Sequence, residues 1–308
     1  MSPTQPKFFI GIDLGTTNSA LAYSPIPTEN DPPPSVQVLP ILQPATEDTQ
    51  IVSTLLPSFL WLPPQSDTWT VGALARSRQP QMPNRSIRSS KSWLAHTSAD
   101  RRANIFPLGS HDIPSHLRLS PVSAATLLLQ HLAKEWERQN PPHKFSDQNI
   151  TITVPASFDP TAQQLTLEAA HAANYPPTTA LLEEPQAAFC FWLAHNQTQL
   201  HKLLSLKPNP HILVIDIGGG TSDFSIFQIT QKIHSLPNLR RIAISNHLLL
   251  GGDNLDLALA HELESRLCPN NLLPPTSFAL LLERAREIKE LSLDIPTDSP
   301  TDNPTHTV

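Results

Sequence analysis

Two segments of the chain share one local pattern: a β-forming run ending in an aspartate, a glycine and threonine turn, and a second β-forming run. The first segment spans 8–23 with Asp13 before its turn, and the second spans 212–227 with Asp216 before its turn. Glycine lets a tight turn bring backbone N–H groups up to an anion, and threonine adds hydroxyl donors. An aspartate beside such a turn supplies oxygen ligands for Mg²⁺ or its bound waters. Either copy alone is typical of an ordinary hairpin, but the pair predicts a clamp for a nucleoside triphosphate and a metal.

Helices and further strands are predicted around the two hairpins. Ser120-Pro121 and Asp159-Pro160 are cap and proline pairs that start helices. Predicted strands cover 55–62, 68–72, 149–154, 179–182 and 240–245, and further predicted helices cover 185–204, 255–267 and 277–291. In the helix from 185, Phe191 and Trp192 are expected to face inward. The polar, proline-rich stretch 24–50 is expected to form an exposed loop.

Composition limits the classes of function. The chain has 308 residues, of which 39% are hydrophobic, enough for one large or two medium domains with a real core. A net charge of −6, with no basic run longer than a pair of arginines, argues against nucleic-acid binding. No apolar run approaches the roughly 18 residues of a membrane span, so a cytoplasmic location without a membrane partner is expected. Cys190 and Cys268 cannot build a disulfide framework or a structural zinc site, and each is interpreted as a small buried apolar residue.

Further short motifs occur in a fixed order along the chain. They are Leu56-Pro57-Ser58-Phe59, Val71-Gly72, Lys91, Val154-Pro155-Ala156-Ser157-Phe158, Glu183-Glu184-Pro185-Gln186-Ala187-Ala188 and Leu250-Gly251-Gly252-Asp253. With the two hairpins, this ordered set resembles the ATPase domain of the 70 kDa heat-shock (DnaK-type) chaperones, members of the actin-like ATPase superfamily. The resemblance covers about residues 8–292. It implies a two-lobed α/β fold of the actin-like, ribonuclease H-like type that binds ATP or ADP with Mg²⁺.

The resemblance also implies a role for individual residues. Asp13, Asp216 and Asp223 would hold a hydrated Mg²⁺, Lys91 would contact the transferred phosphate and its attacking water, and Glu184 would orient that water. The residues implied to bind the nucleotide are Gly15, Thr16, Thr17, Gly218, Gly219, Gly220, Thr221, Gly251, Gly252 and Asp253, and Asp216 and Thr221 count as catalytic with Lys91 and Glu184. Structural alternatives stay open: a solvated lysine at 91, a charge on the helix dipole at 184, and a helix cap at 251–253.

The family pattern is only partly matched at the C-terminal side. The resemblance implies lobe I at 1–208 with a peripheral inserted subdomain at 24–110, a partial lobe II at 209–294 and a disordered tail at 295–308. The return segment and the peptide-binding domain of the family have no counterpart, so a C-terminally truncated chain with an incomplete second lobe is expected. Glu283, Arg286 and Lys289 fit the adenosine-binding helix of the family only loosely, which leaves base selectivity open.

Three functions follow as hypotheses. The first is a chaperone-type ATPase lobe that hydrolyses Mg-ATP slowly, with nucleotide and co-chaperones as partners. The second is a truncated paralogue or split fragment without enzyme activity that acts only with a complementary polypeptide. The third, more remote, is a filament-forming actin-like protein, because such proteins share the Glu-Glu-Pro-x-Ala-Ala and Asp-Ile-Gly-Gly-Gly-Thr strings.

Overall fold

The computed structural model describes residues 5–28, 35–96, 99–110, 112–196, 202, 209–230, 238–245, 248, 250–269 and 271–293. The chain divides into two compact units, Met1–Gly252 and Asp253–Val308. Helices and strands are both abundant, which confirms the predicted α/β class. The predicted boundaries of the lobes and of the inserted subdomain stay predictions, and the tail predicted to be disordered lies outside the described residues. No helix in the described ranges has both the length and the apolar character needed to cross a membrane.

The elements of the described residues are numbered here in chain order. The strands are β1 Phe8–Leu14, β2 Asn18–Pro25, β3 Gln37–Val38, β4 Ile41–Pro44, β5 Gln50–Ser53, β6 Leu56–Pro57, β7 Leu60–Trp61, β8 Thr70–Val71, β9 Ser86–Ile87, β10 Asn149–Val154, β11 Ala180–Glu183, β12 His211–Ile217, β13 Ser222–Thr230 and β14 Asn238–Ile244. The helices are α1 Ala73–Arg78, α2 Ser90–Leu94, α3 Pro121–Gln139, α4 Pro160–Ala172, α5 Glu184–His195, α6 Gly252–Leu267 and α7 Pro275–Leu293.

The first sheet has the strand order β11-β10-β1-β2-β3, with β6 also paired to β2. Strands β11, β10 and β1 are parallel, whereas β2 runs antiparallel to β1. The sequence of β1 alternates: Ile10, Ile12 and Leu14 are buried, and the two residues between them, Gly11 and Asp13, are exposed. Because successive side chains of a strand point to opposite faces, one face of this sheet forms the core and the other is open for a site.

Helices α3 and α4 cover the core face of the first sheet. Both begin as the sequence predicts: the side chains of Ser120 and Asp159 accept hydrogen bonds from the backbone N–H groups of Ser123 and Ala162, at 3.0 and 2.6 Å. Trp136 of α3 is fully buried, and its indole N–H donates to the carbonyl of His143 at 2.7 Å. Aromatic rings pack edge-on against it, with those of Phe8 and Tyr23 each 5.2 Å away between centroids.

The prediction of an exposed loop over 24–50 is wrong for its second half, where β3, β4 and the start of β5 form. Leu39 and Ile41 are buried in the main core. Gln43, only 1% exposed, is compatible with burial because its side-chain amide donates to the Leu55 carbonyl and accepts from the Ala73 N–H, both at 2.9 Å. Leu39, Ile41 and Gln43 are buried at every second position, as in a strand. The sequence does not reveal this pattern, because Gln43 is polar and the residues around the three are rich in proline and polar side chains.

The second sheet consists of β12, β13 and β14, which are antiparallel. Helix α5 packs on one face of it, where Phe189 and Ile229 form a small buried cluster with partly buried Ile212 and Val214. The opposite face of β12 is apolar and exposed, with Leu213, Ile215 and Ile217 at 54%, 54% and 68% exposure.

Two expectations for α5 are wrong. Phe191 is 66% exposed instead of facing inward, and Cys190 is exposed instead of buried. The buried stripe of α5 consists of Pro185 and Phe189, which are four residues apart and so share a face; Phe191 lies on the other side of the helix. Cys268 is partly exposed. Helix α5 ends at His195, and of the rest of the helix predicted to reach 204, residues 197–201 and 203–204 lie outside the described residues.

In the second compact unit, an ionic cluster joins α6 to α7. The Arg286 guanidinium, 5% exposed, donates to Asp256 at 3.0 Å, to Glu283 at 3.2 Å and to Asp253 at 3.3 Å. Asp256 is 1% exposed, and its other carboxylate oxygen lies 2.6 Å from the Lys289 ammonium. Buried charges of this kind are tolerated only while they are paired. Arg286 is therefore required to compensate the charges of the carboxylates around it.

We expect Arg286→Met to lower the local free energy of opening of α6 and α7 by about 3–5 kcal/mol, because it leaves buried carboxylates without their main partner. Amide hydrogen exchange of the two helices measures this. Arg284→Ala is the matched control on the same helix, since Arg284 pairs with Glu287 at the surface and its loss should cost less than about 1 kcal/mol. Equal exchange in the two variants would show that the cluster does not stabilise the unit.

Candidate functional site

Each of the two main sheets contains a hairpin whose first strand ends near an aspartate. In the first sheet, Asp13 of β1 lies opposite Ala20 of β2, and residues 15–17 form the turn. In the second sheet, Asp216 of β12 lies opposite Asp223 of β13, and residues 218–221 form the turn. The two similar sequence segments therefore fold into two similar hairpins, each with a carboxylate beside a glycine turn.

The first turn is so tight that its first residue must lack a side chain. A Cβ atom on Gly15 would lie 2.0 Å from the carbonyl oxygen of Asn18. Next to the turn, the hydroxyl of Thr153 on β10 donates to the Asp13 carboxylate, with 3.2 Å between Oγ1 and Oδ1. Asp13 and Thr153 are also partners in the register of β1 and β10. The sheet itself therefore holds the Asp13 carboxylate in place.

The second turn is closed by backbone hydrogen bonds. The N–H of Gly218 donates to the Thr221 carbonyl at 2.8 Å, and the N–H of Gly252, at the start of α6, donates to the Gly218 carbonyl at 2.9 Å. The Ser222 hydroxyl donates to the Leu250 carbonyl at 2.7 Å. These bonds hold 250–252 directly against the second turn. Gly251 and Gly252 of this stretch are among the residues that the family resemblance implies to bind nucleotide.

The two turns meet each other. A Cβ atom on Gly219 would lie 1.7 Å from Oγ1 of Thr17, and one on Gly220 would lie 3.5 Å from Cγ2 of Thr16. Oγ1 of Thr17 is buried and has no hydrogen-bond partner in the described part of the chain. A buried hydroxyl without a partner costs about 1–3 kcal/mol, so this position favours a ligand that offers acceptor atoms. Phosphate oxygens are acceptors of this kind, and the two turns therefore fit a polyphosphate.

Negative charge accumulates around the second hairpin. Asp216 and Asp223 lie directly opposite each other on antiparallel strands, where like charges destabilise the sheet. Burial raises the pKa of Asp216 above its ordinary value, and the charges of Asp223 and Asp13 also raise it, whereas Lys91 lowers it. A bound cation would relieve this repulsion. The carboxylates therefore fit a divalent ion.

The donor set fits an ion that keeps most of its water ligands. Across the described ranges, no group of three or more His, Cys, Asp and Glu side chains is arranged to hold a metal ion. Mg²⁺ is commonly bound through one or two carboxylates while the remaining positions are occupied by waters and phosphate oxygens. Asp13, Asp216 and Asp223 are compatible with that mode of binding, in which the protein touches the ion at few points.

Lys91 and Glu184 form an ion pair at the same site, in which the lysine is buried and the glutamate is partly buried. Lys91 lies on the short helix α2 and is 6% exposed; Glu184 is the first residue of α5. Burial raises the pKa of the Glu184 carboxyl, Lys91 lowers it, and the charges of Asp13 and Asp216 raise it. Lys91 is thus not a solvated surface lysine but the positive charge among three nearby carboxylates.

A cleft of about 1050 Å³ contains these groups. The predicted site residues that line it are Asp13, Gly15, Thr16, Thr17, Lys91, Glu184, Asp216, Gly218, Gly219 and Thr221. Gly220 and Asp223 belong to the second hairpin, and Gly251 and Gly252 pack against its turn. Asp253 belongs to the second compact unit, where Arg286 binds it. The roles of all these residues stay predictions.

Two polar residues next to the site have no role in the sequence interpretation. Thr153 holds Asp13, and the buried Ser58 contacts the first turn through the carbonyls of Gly15 and Thr17. Ser58 belongs to the motif Leu56-Pro57-Ser58-Phe59, which gave a signal of family membership but none of function. Both contacts join positions far apart in the chain, so no local pattern reveals them.

Comparison with known proteins identifies the family. The family model described as Hsp70 protein matches residues 65–273. Similar relatives are a chaperone protein HscA homolog of Burkholderia multivorans, 30% identical over 96% of this chain, and one of Bordetella pertussis, 30% identical over 95% of it. The chaperone protein HscA of Serratia proteamaculans is 30% identical over 86% of the chain. The chain belongs to the Hsp70 family, as the sequence motifs predict.

The chain spans less than half the length of these relatives: the matched region covers 43% of the two homologs and 39% of the third protein.

We expect Gly15→Ala to lower the stability of the first hairpin by about 1–3 kcal/mol, because the new Cβ would overlap the Asn18 carbonyl and the turn would have to shift. Urea denaturation measures the loss. Gly11→Ala is the matched control in the same hairpin, since a Cβ there meets nothing closer than the Ala22 carbonyl oxygen at 3.9 Å. An equal effect of both changes would mean that turn geometry does not require glycine at 15.

Proposed function

We propose that this chain is an Hsp70-type nucleotide-binding region that binds Mg-ATP and hydrolyses it slowly. The observation that carries the proposal is the meeting of two aspartate and glycine-turn hairpins at one cleft, beside the ion pair of the buried Lys91 with Glu184. Neither hairpin alone distinguishes a phosphate site from a common turn. Two of them are in contact here, and between them lies the buried Thr17 hydroxyl, for which the described residues offer no hydrogen-bond partner. This arrangement favours a ligand rich in acceptor oxygens.

The two turns would bind the phosphates. Their backbone N–H groups and the hydroxyls of Thr16, Thr17 and Thr221 are the donors that phosphate oxygens accept. Asp13, Asp216 and Asp223 would hold the hydrated Mg²⁺. The ion, when bound, neutralises charge on the phosphates, and this is the chemistry that phosphoryl transfer depends on most.

Lys91 and Glu184 would act on the γ-phosphate and the attacking water. The Lys91 ammonium donates to a phosphate oxygen and stabilises the charge that develops there, while a Glu184 carboxylate oxygen accepts a hydrogen bond from the water and orients it. The water oxygen would form a bond to the γ-phosphorus while the bond from that phosphorus to the β,γ-bridging oxygen breaks, and its electron pair would stay on the departing ADP. The phosphate product would carry both hydrogens of the water as H2PO4−. A positioned water and a fixed charge suffice for a slow rate.

A two-lobed actin-like fold is part of this proposal. The repetition of one hairpin at the edge of the site in two different sheets supports it, because each sheet then contributes one phosphate turn. The lobes would meet at the cleft, with α5 beginning between Lys91 and the second sheet. Co-chaperone partners and a cytoplasmic location, both predicted from the sequence, remain predictions.

We expect Lys91→Ala to lower the single-turnover rate of ATP hydrolysis on the order of 100-fold, because it removes one preorganised donor to the transition state. Quenched-flow or manual sampling of labelled ATP with excess protein measures the rate. Lys134→Ala, which removes an exposed lysine on α3, is the control and should leave the rate unchanged. An unchanged rate in Lys91→Ala would contradict the assigned role.

A second candidate function makes activity dependent on another polypeptide. It is favoured by the apolar face of β12, because exposed Leu213, Ile215 and Ile217 are typical of a surface that a protein partner covers. The two candidates differ in what the isolated chain does. A micromolar Kd for ATP in isothermal titration, together with single-turnover hydrolysis of ATP by the chain alone, would exclude the second candidate. The filament hypothesis requires nucleotide-dependent sedimentation of the chain.

A further inference from the structure

The first glycine turn is supported from behind by one buried serine. Ser58 follows β6, is 1% exposed, and does not line the cleft, whereas Gly15, Thr16 and Thr17 do. Strand β6 pairs with the start of β2 directly after the turn, with Asn18 opposite Pro57 in register. Ser58 therefore contacts the turn on the side away from the cleft.

Three hydrogen bonds join Ser58 to the first hairpin. Its N–H donates to the Thr17 carbonyl at 2.8 Å, and its hydroxyl donates to the Gly15 carbonyl at 2.8 Å. Its Oγ also lies 2.9 Å from Oγ of Ser19. Because a hydroxyl has one hydrogen and that of Ser58 goes to Gly15, the Ser19 hydroxyl is the donor in the last bond. Ser58 thus directs both its N–H and its hydroxyl to the first hairpin.

The two anchored carbonyls determine where the N–H groups of the turn point. In a trans peptide the C=O and N–H of one plane point in opposite directions. Holding the Gly15 carbonyl on Ser58 therefore directs the Thr16 N–H away from Ser58, and holding the Thr17 carbonyl does the same for the Asn18 N–H. These residues line the cleft. The contacts of Ser58 turn backbone donors toward the cleft.

We propose that Ser58 is a positioning residue that fixes the peptide groups of 15–18 in the orientation required to bind phosphate. The inference rests on the proposed function in one respect, that the ligand of the turn is a nucleotide. Without the Ser58 hydroxyl, the Gly15 carbonyl loses the hydrogen bond that it accepts. The peptide plane between Gly15 and Thr16 can then rotate, which turns the Thr16 N–H away from the cleft. A group that acts through the backbone in this way affects binding more than the chemical step.

The experiment compares Ser58→Ala with Ser86→Ala. Ser86 is also buried, and its hydroxyl also donates to a backbone carbonyl, that of Met82 at 2.9 Å, but it lies on β9 outside the cleft lining. The probes are MgADP titration, single-turnover hydrolysis at saturating ATP, and amide exchange of 15–19 without nucleotide. We expect Ser58→Ala to raise the Kd tenfold or more, to change the saturated rate less than threefold, and to speed exchange at 15–19.

Ser86→Ala should leave the Kd and the exchange of 15–19 unchanged at a similar loss of stability, and Ser58→Thr, which keeps the hydroxyl, should restore both. Equal Kd values and equal turn exchange in the two alanine variants would overturn the inference.

If the unaltered chain binds no nucleotide, the proposed function fails, and amide exchange alone tests the role of Ser58. Faster exchange confined to the turn in Ser58→Ala supports the positioning role, and unchanged exchange refutes it. If Ser58→Ala does not fold, Ser58→Cys, with its weak S–H donor, replaces it in each comparison.

Discussion

The contact between the two glycine turns is the constraint on which the rest of the site depends. Because Gly219 leaves room only for the hydroxyl of Thr17, the two hairpins cannot approach more closely, and their position fixes where Asp13 and Asp216 lie. Each turn is in turn held by its own surroundings: Ser58 behind the first, and Gly252 against the second. The site is therefore built from backbone geometry first, and charged side chains are added to a frame that is already determined.

The second constraint on the site is the negative charge of the carboxylates that the two hairpins and α5 bring together. Burial disfavours the ionised forms of Glu184 and Asp216, and the neighbouring carboxylates add to that effect. The ammonium of Lys91 compensates only part of it, because one positive charge faces several negative ones. The cleft therefore has an excess of negative charge that a bound cation would offset. This excess arises only when the fold brings these residues together, so it has no counterpart in any single stretch of the sequence.

Features set by neighbouring residues could be predicted from the sequence, and features set by distant contacts could not. The caps at Ser120 and Asp159 depend on residues three positions away, and both form as predicted. The ion pair of Lys91 with Glu184 joins positions 93 residues apart, and only the family resemblance places the two together. No local signal reports which way Phe191 faces, because an almost uniformly apolar helix has no preferred side.

The open face of β12 makes the two halves of the cleft unequal in local stability. The hairpin of the first sheet is covered by two long helices and an aromatic cluster, whereas the second sheet has α5 on one side and exposed Leu213, Ile215 and Ile217 on the other. A fully buried side chain of this size contributes roughly 1.5–3 kcal/mol, so the second hairpin forgoes several kcal/mol. Local opening of the protein should then begin at the second hairpin. The side of the cleft formed by the first hairpin is the more stable one, and the side formed by the second hairpin opens first.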